Sequence, residues 1–502
     1  MARMSRFYIT TPIFYVNGDP HLGTAYAAIN ADAFARWHRL LGDEVLFLTG
    51  TDEHGLKIQQ SADEHGISPQ AWVDQTASRF MSAWQELAIS FDDFIRTTQD
   101  RHHRTVQKFL TAIYENGYIE KGYYIGLYCV ACEAYYEESE LLDGNRCPIH
   151  ERPVSEMSEE NYFFKLSAFT EKLIELYESG KIKVAPEFRV NEVLGFLRQG
   201  LKDISITRTS ISWGVQVPWD EQHVFYVWYD ALINYLTAIS YGDDEARFAK
   251  WWPAVHHLLG KDIIRFHAVW WPAMCLAAGI DPPSQLLVSG WLLVDGAKMS
   301  KSSENQIDPL SVVRELSADA LRYYLLASTS FGSDGDVSLD RLRASYNADL
   351  ANDLGNLVSR TVALIVQKLG GMTPPTPVRD ERINPLIDIL LEGVAAWNEF
   401  RPNAALGAAM GMVRFSNSLL EEYEPWRRPA EDAGSIWCLG TIREALRLAA
   451  ALLSPAIPNA SSGVLSRLGW QELGPLEWSA GGEVRELVRA QPLFPRLAKE
   501  GR

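Results

Sequence analysis

The chain of 502 residues is 47% hydrophobic and 22% charged, which is typical of a globular protein of about two to four domains. Its net charge of −17 argues against a general nucleic-acid coat, although a local basic face on an acidic body can still bind a structured RNA. The densest apolar stretch, residues 448–453, is too short to span a membrane and stops at Ser454-Pro455, so we expect a cytoplasmic protein with no membrane segment.

The first elements along the chain predict a βαβ unit. Residues 6–11 and 44–49 have the pattern of buried strands flanked by Pro or Gly. Gly42 is placed to end an intervening helix. Four apolar residues recur at helical spacing before it, namely Ile29, Ala33, Trp37 and Leu41. Two strands joined by a helix form a parallel sheet, so we predict an α/β fold of the Rossmann-like, doubly wound kind.

The first strand turns into this helix through His21-Leu22-Gly23-Thr24. Backbone N–H groups and the helix dipole favour a phosphate at such a helix start, and Gly23 lets a nucleotide approach closely. A His-x-Gly triplet by itself is most often a simple turn. Its place after a strand of a parallel sheet favours a phosphate site.

Residues 119–215 differ in character from their surroundings and predict an inserted domain that splits the sheet. Strand patterns resume at residues 224–227 and 285–288. Four potential metal ligands fall in the insertion, Cys129, Cys132, Cys147 and His150. Their spacing fits a tetrahedral Zn²⁺ site, and four protein ligands leave no position for water, so the zinc would be structural. The alternative is a group of unliganded buried thiols.

The two remaining cysteines, Cys275 and Cys438, lie in apolar contexts and are most simply buried thiols. The cysteines as a whole therefore indicate metal binding in a reducing compartment rather than a disulfide framework. Beyond about residue 350 the apolar spacing is helical, and residues 374–377 form a Pro-rich loop between helices.

A second phosphate motif is Lys298-Met299-Ser300-Lys301-Ser302, which follows Gly296. Mobile ammonium groups can stabilise the charge that develops on a departing pyrophosphate. A lysine-rich loop is usually only a solvated loop, but two lysines separated by Met-Ser on a Gly/Ser-rich loop are rarer.

Together the His21 and Lys298 motifs resemble the paired signature of the class I aminoacyl-tRNA synthetases, and the sequence between them is similar to the methionyl branch. The resemblance extends from Tyr8 to about Pro455. Thr24 departs from the family pattern, which usually has a second histidine there, and a hydroxyl cannot carry a positive charge. The resemblance implies a catalytic domain split into residues 1–118 and 216–290, with a connective insertion and zinc knuckle at 119–215 between the two halves. A stem-contact region at 291–350 and a helical anticodon-binding domain at 351–502 would follow.

The resemblance implies that the chain activates methionine with ATP and Mg²⁺, and transfers it from methionyl-adenylate to the 3′-terminal adenosine of tRNA(Met). The implied catalytic residues are His21, Thr24, Lys298 and Lys301. ATP binding is implied for His21, Gly23, Thr24, Gly260, Asp262, Met299 and Lys301. Methionine binding is implied for Ile13, Tyr15, Asp52, Trp228, Ala231, Leu232, Tyr235, Ile263 and His267. Anticodon recognition is implied for Asn356, Arg360, Pro425 and Trp426.

Without the resemblance, Asp52 in the segment 48–55 at the end of the second strand would be a helix N-cap. The aromatic run at residues 226–231, with Tyr235 and Phe266 beyond it, would be core, and Trp426 would be a core or loop residue. Because the chain stops at Arg502, without the C-terminal dimerisation module of longer relatives, we expect a monomer.

Two other functions stay open at this stage. One is a class I synthetase for another apolar amino acid, although the insertion is short for the large editing domains of the isoleucyl, valyl and leucyl enzymes. The cysteinyl enzyme should place a zinc ligand beside its substrate pocket, whereas these ligands sit in the insertion. The other is a non-catalytic tRNA-binding relative, which Lys298 and Lys301 argue against and Thr24 weakly favours.

Overall fold

The structure is a computed structural model that describes residues 5–131, 134–136, 138, 141–143, 145–209, 211–294, 296–298 and 307–497. The chain divides into two compact units. Unit 1 comprises Met1–Pro20, Gly42–Gln85 and Ser90–Ser289, and unit 2 comprises His21–Leu41, Glu86–Ile89 and Gly290–Arg502. The finer domain boundaries within these units stay a prediction.

The strands of unit 1 form a parallel sheet and smaller antiparallel sheets. In chain order they are β1 (Arg6–Thr10), β2 (Phe14–Tyr15), β3 (Glu44–Asp52), β4 (Asp93–Arg96), β5 (Ile119–Cys129), β6 (Ala134–Tyr136), β7 (Ser155–Phe164), β8 (Lys183–Ala185), β9 (Ile204–Ser205), β10 (Thr207–Arg208), β11 (Val224–Phe225), β12 (Val255–Gly260) and β13 (Gln285–Ser289). The large sheet has the order β2-β3-β1-β12-β13-β8, with β4 beside β3, and its pairings are parallel. The predicted parallel α/β sheet is confirmed.

Strand β3 lies inside this sheet and is buried over seven consecutive residues, from Leu46 to Asp52. A strand covered on both faces needs such an unbroken run rather than an alternating pattern. At Gly50 a Cβ would stand 2.0 Å from the carbonyl oxygen of Ile95, so the approach of β4 requires a glycine there.

The predicted insertion contains a four-stranded antiparallel sheet of order β6-β5-β7-β9, but its β8 joins the edge of the large parallel sheet. The prediction that residues 224–227 resume that parallel sheet is wrong. Strand β11 pairs antiparallel with β10, and a helix begins at Val227. A short apolar run fits a strand and a buried helix equally well, so periodicity alone could not separate them. The prediction for residues 285–288 is confirmed by β13.

The helices begin with α1 (Leu22–Leu40), which belongs to unit 2. Those of unit 1 follow as α2 (Leu56–Glu64), α3 (Pro69–Glu86), α4 (Asp100–Glu115), α5 (Thr170–Glu178), α6 (Arg189–Leu197), α7 (Val227–Ala231), α8 (Asn234–Thr237), α9 (Glu245–Trp251) and α10 (Trp271–Ala277). Short 3-10 helices cover Leu166–Phe169, Trp252–Ala254 and Lys261–Ile263, and a π-helical turn covers Phe266–Trp270.

Unit 2 is mainly helical, as predicted for the region beyond residue 350. Its later helices are α11 (Pro309–Glu315), α12 (Ala318–Ala327), α13 (Leu339–Ser345), α14 (Asn356–Lys368), α15 (Asn384–Asn398), α16 (Pro402–Tyr423), α17 (Ala433–Leu453) and α18 (Pro458–Arg467), with a π-helical segment at Tyr346–Gly355 and a 3-10 turn at Pro425–Arg427. A small sheet contains β14 (Leu292–Val294), β15 (Ala297–Lys298) and β16 (Gly335–Val337). Among the helices that the structure describes, none combines the length and apolar character that a membrane crossing needs.

Helix α1 packs into the aromatic core of unit 2. The Trp37 indole stacks on Trp397 at 5.8 Å between ring centroids and donates a hydrogen bond of 2.9 Å to Asn398. The helix ends before Gly42, whose φ of 85° lies in the left-handed region, as the predicted C-terminal signal requires.

A buried ion pair joins α1 to α12. Arg322 donates to the Asp32 carboxylate at 2.6 Å, and neither side chain is exposed to solvent. The same guanidinium donates to the carbonyl oxygens of Leu87, Pro455 and Ala456 at 3.2, 2.7 and 2.9 Å. One side chain therefore satisfies four acceptors from three segments of unit 2, which offsets the cost of burying its charge.

Replacing Arg322 with Met should lower the free energy of unfolding by roughly 3–5 kcal/mol. Three buried carbonyl groups and the Asp32 carboxylate lose this donor, although the carboxylate keeps the hydrogen bond from Arg36. The control is Arg343→Met, which removes a partly exposed pair with Glu315 and should cost less than about 1 kcal/mol. Urea unfolding followed by circular dichroism measures both changes. Equal losses in the two variants would contradict the importance of the buried network.

Candidate active site

Two predicted site residues are neighbours because β2 pairs with β3. Tyr15 and Asp52 are register partners at the carboxyl ends of these parallel strands, the edge where ligands bind in open α/β sheets. Asp52 is buried, at 6% exposure. Ile13, just before β2, packs against the hydrophobic core of unit 1. The pairing therefore places a carboxylate beside an aromatic side chain at this edge.

The predicted aromatic segment folds into two short helices. Trp228 and Ala231 lie on α7, Leu232 follows it, and Tyr235 lies on α8. The Trp228 indole stacks on Phe266 at 4.1 Å, with only 4° between the ring planes. Trp228 itself is half-buried. Phe266 was recognised in the sequence as part of an aromatic run, but its pairing with Trp228 is visible only in the structure.

Tyr235 and His267 form a buried polar pair. The Tyr235 hydroxyl lies 2.7 Å from Nε2 of His267, while Nδ1 of His267 lies 3.1 Å from the carbonyl oxygen of Ile263. A carbonyl can only accept, so Nδ1 carries the proton and Nε2 accepts from the hydroxyl. Burial lowers the pKa of His267 to about 4. The imidazole is therefore neutral near pH 7.

Asp52 and Tyr235 also influence each other. Burial raises the pKa of the Tyr235 hydroxyl, and the Asp52 charge raises it further. The structure thus brings Tyr15, Asp52, Tyr235, Ile263 and His267 into one region of unit 1.

The predicted ribose-binding residues stand at the carboxyl end of β12. Gly260 ends this strand, and Asp262 lies in the 3-10 helix that follows it. A Cβ on Gly260 would meet Oδ1 of Asp262 at 2.5 Å, so the carboxylate folds back over the glycine.

A buried hydrogen-bonded group was missed by the sequence reasoning. Asp230 is fully buried on α7, and its two carboxylate oxygens contact Nδ1 of His54 at 2.5 Å and Nε2 of His102 at 2.6 Å. Burial by itself raises the pKa of Asp230, but the charges and hydrogen bonds of the two histidines outweigh burial and lower it. The Thr51–Gly55 segment and the aromatic run were both recognised, but their contact comes from the tertiary fold.

In unit 2, His21 is the N-cap of α1. Its Nδ1 accepts a hydrogen bond of 3.1 Å from the backbone N–H of Gly23. The Thr24 hydroxyl donates to the His21 carbonyl at 2.7 Å and accepts from the His21 N–H at 3.0 Å. Together these contacts form a capping box. Thr24 therefore holds the backbone of His21.

The second phosphate motif begins where a hairpin of unit 2 ends. Strands β14 and β15 pair antiparallel, and the Gly296 N–H donates to Asp336 at 2.9 Å. Lys298 is the last residue of β15. Its side chain, together with Met299 and Lys301, lies outside the described residues.

Three of the four predicted metal ligands come together in unit 1. The ligand atoms of Cys129, Cys147 and His150 all lie within 4.8 Å of one another. The backbone N–H of Ile149 points to Sγ of Cys147 at 3.4 Å, which favours a thiolate at that position. The fourth, Cys132, lies outside the described residues. The group fits a metal bound by thiolate and imidazole.

The predicted anticodon residues are also brought together. Asn356 and Arg360 lie one turn apart on α14, which contacts the 3-10 turn that holds Pro425 and Trp426. The Arg360 guanidinium stands 5.6 Å from the Trp426 ring centroid and donates to Glu421 at 2.7 Å. Trp426 is half-buried, so it is not a fully buried core residue.

Comparison with known proteins extends the likeness to nearly the whole chain. The family model "tRNA synthetases class I (M)" matches residues 7–155 and 140–362. The methionine–tRNA ligases of Streptomyces coelicolor and Nostoc sp. are each 42% identical, over 98% of this chain and 97% of the relative. The structure of Mycobacterium tuberculosis methionyl-tRNA synthetase in complex with methionyl-adenylate is 38% identical, with a TM-score of 0.93 over 98% of this chain and 100% of that one. The apo form of the same protein is 34% identical, with a TM-score of 0.87 over 99% of each chain.

The His267 environment makes stability depend on pH. A histidine with a lowered pKa in the folded state binds protons more readily when unfolded, so its contribution is complete above pH 6.5 and is lost as the pH falls towards 4. Between pH 7.5 and 5, His267 should account for roughly 2 kcal/mol of lost stability. The His267→Gln variant keeps an acceptor near the Nε2 position but does not titrate, so its free energy of unfolding should fall less over the same pH range.

Urea unfolding at the two pH values measures this difference. The control variant is His65→Gln, at an exposed position, which should lose as much stability as the wild type between the two pH values. An unchanged pH dependence in His267→Gln would show that His267 is not held neutral by burial.

Proposed function

The chain belongs to the methionine–tRNA ligase family of class I tRNA synthetases, and we propose that its Tyr235–His267 pocket selects methionine for this activity. Its reaction is the ATP-dependent activation of methionine followed by charging of tRNA. The observation that carries the proposal is the buried hydroxyl–imidazole pair, whose tyrosine interacts with the Asp52 charge. Phe266, the residue before His267, stacks on the Trp228 indole. Soft thioether sulfur packs well against aromatic rings, and a buried polar pair limits the depth of the pocket.

Within this pocket, Asp52 binds the α-ammonium group, since a buried carboxylate is the natural partner for a charge of opposite sign. Trp228, Tyr15 and Tyr235 contact the thioether. Ile13, Ala231, Leu232 and Ile263 supply the remaining apolar wall. Because a hydrophobic pocket discriminates by only about 1–3 kcal/mol per methylene, norleucine should be rejected less strongly than leucine.

The α1 N-terminus holds phosphate groups of ATP. With Nδ1 of His21 occupied by the Gly23 N–H, a neutral ring carries its proton on Nε2, which can donate to a phosphate oxygen. Thr24 contributes by fixing His21 through the capping box. Asp262, with Gly260 beside it, accepts from the ribose. Mg²⁺ bound to ATP would neutralise part of the phosphate charge.

In the reaction, a methionine carboxylate oxygen attacks the α-phosphorus, an oxygen–phosphorus bond forms, and the bond to the bridging oxygen breaks. Pyrophosphate leaves with the electron pair. Lys298 and Lys301, with Met299 between them in the motif, meet the leaving group, and the two lysines stabilise its growing charge. A terminal hydroxyl of tRNA then attacks the methionyl carbonyl, and AMP leaves.

Replacing Lys301 with Ala should slow ATP–pyrophosphate exchange by roughly 10²–10³-fold, as expected for losing one preorganised donor in the transition state. Methionine binding should change little. Lys172→Ala, at an exposed position paired with Glu175, is the control and should exchange normally. An exchange rate near wild type in Lys301→Ala would contradict the role assigned to Lys301.

A panel of amino acids in the same assay tests the substrate. Faster activation of isoleucine or cysteine than of methionine would refute the assignment of methionine as the substrate.

A structural Zn²⁺ ion is the second proposal, held by Cys129, Cys132, Cys147 and His150. Its support is the convergence of three of these ligands and the N–H directed at Sγ of Cys147. When bound, the metal would cross-link β5 to the turn around residues 147–150 and so order the connective insertion.

Metal analysis of protein purified without chelator should find about one zinc per chain. Cys147→Ser should lose the metal and reduce transfer to tRNA more than adenylate formation, because the metal orders the insertion rather than the reacting groups. The control Cys275→Ser, at a buried thiol outside the metal-binding group, should keep the zinc. A zinc-free, fully folded wild-type protein would contradict this site.

We also propose that Asn356, Arg360, Pro425 and Trp426 read the anticodon of tRNA(Met). Unpaired bases stack on aromatic and guanidinium planes, and amide groups hydrogen-bond to base edges. The Arg360–Trp426 contact already presents an indole and a guanidinium side by side. Pro425 follows Glu424, whose φ of 44° turns the chain sharply and sets the direction of the indole.

Trp426→Ala should weaken aminoacylation of tRNA by roughly ten- to a hundred-fold, since stacking on a base is worth about 1–3 kcal/mol. Adenylate formation without tRNA should not change. The control is Trp478→Ala, another half-buried tryptophan of unit 2 that donates to the Pro377 carbonyl and should leave both reactions intact. Equal loss of both reactions in Trp426→Ala would identify Trp426 as a structural residue instead.

For the cellular setting we propose a monomer in the cytoplasm. The cysteines that the structure describes, Cys129, Cys147, Cys275 and Cys438, form no disulfide bonds, which supports a reducing compartment.

A further inference from the structure

The backbone that carries Asp52 is fixed on one side by Glu53. This fully buried carboxylate accepts from Arg96 at 2.7 and 3.0 Å, and from the hydroxyls of Thr51 and Thr98 at 2.6 and 2.5 Å. The Glu53 carbonyl also accepts from the Trp213 indole at 2.6 Å. The segment just after Asp52 is therefore held rigidly to β4 and its following turn.

The other fixed point is His54, two residues beyond Asp52. Its Nδ1 reaches the Asp230 carboxylate on α7, the helix that also carries Trp228 and Ala231. Asp230 is held in turn by His102 of α4, whose other ring nitrogen lies 3.0 Å from the Thr237 hydroxyl. Every polar contact named here is between residues of unit 1. The chain His54–Asp230–His102 thus links the Asp52 segment to the helix that carries the indole.

We propose that Asp230 is a positioning residue for the α-ammonium group of methionine, and that it acts through the His54 hydrogen bond on the placement of Asp52. This inference rests on the proposed role of Asp52. Two sets of contacts would then fix the distance between the Asp52 carboxylate and the aromatic wall on α7. That distance decides whether one amino acid can place its ammonium group and its side chain correctly at the same time, since small displacements of a positioning group cost much of its effect.

A matched pair of inhibitors tests the inference. L-Methioninol keeps the α-ammonium group, and 4-(methylthio)butan-1-ol is the same molecule without it. Inhibition constants for both are measured in ATP–pyrophosphate exchange with wild type, His54→Ala, His54→Asn, Asp230→Asn and Asp52→Asn. The Asn side chain at position 54 carries an N–H donor near the place of Nδ1, so it should restore the contact that Ala removes. His65→Ala, at an exposed histidine, is the control.

In His54→Ala and Asp230→Asn, the inhibition constant of methioninol should rise roughly ten- to a hundred-fold. The inhibition constant of the analogue without the ammonium group should change by less than about two-fold. His54→Asn should recover most of the loss. The KM for methionine should rise with little change in kcat, because the ammonium contact exists in both the ground state and the transition state.

A purely structural role predicts the opposite pattern, a lower kcat from a smaller active fraction with unchanged KM, and that result overturns the inference. Equal weakening of both inhibitors also overturns it. The Asp52→Asn variant tests the proposed role of Asp52 separately from the positioning role of Asp230. If this variant does not discriminate between the inhibitors, the proposed role of Asp52 fails. If Asp52→Asn discriminates and both His54→Ala and Asp230→Asn do not, only the positioning role fails. Should Asp230→Asn not fold, His54→Ala against His54→Asn decides the question.

Discussion

Parallel pairing of β3 with strands on both sides constrains the location of Tyr15 and Asp52, two of the candidate methionine contacts in unit 1. Parallel strands end at the same edge, so Tyr15 at the end of β2 and Asp52 at the end of β3 must be neighbours. The next residues, Glu53 and His54, then reach the flanking strand and helix from that edge. Gly260 ends β12 in the same sheet. A shift of β3 by one residue would move the Asp52 side chain to the opposite face of the sheet.

Burying the carboxylates of Glu53 and Asp230 is costly, and the structure offsets the cost by pairing both oxygens of each. Glu53 accepts from Arg96 and two hydroxyl groups, and Asp230 from two imidazoles. An unpaired charge in such surroundings would cost several kcal/mol. The same networks restrict movement of the residues between them. Stability of unit 1 and precision at the Asp52 carboxylate therefore have a common physical origin, the satisfaction of buried polar groups.

The start of α1 illustrates how one substitution alters a motif without destroying its geometry. The family usually has a second histidine at position 24, and this chain has Thr. The Thr24 hydroxyl closes a capping box with the backbone of His21. In this capping box the N-cap is His21, and Thr24 at N3 satisfies the His21 N–H. The position contributes order to His21 in place of a second imidazole. In the proposed function, phosphate binding would therefore depend more on His21, on the backbone N–H groups and on the lysines of the second motif.

The sequence by itself determined the parallel sheet, the helical second half, the cysteine–histidine group and the two candidate phosphate motifs, because strand and helix periodicity, glycine and cysteine spacing and short motifs are local properties of the chain. The candidate methionine and anticodon residues followed only from the resemblance to a known family. Contacts between distant segments were decided by the tertiary structure. The pairing of Asp230 with His54 and with His102 joins residues separated by more than a hundred positions, and no local pattern encodes it. Residues 224–227 show the same limit, since four apolar residues suit a strand and a buried helix alike, and only packing against the rest of unit 1 selected a short antiparallel strand followed by a helix.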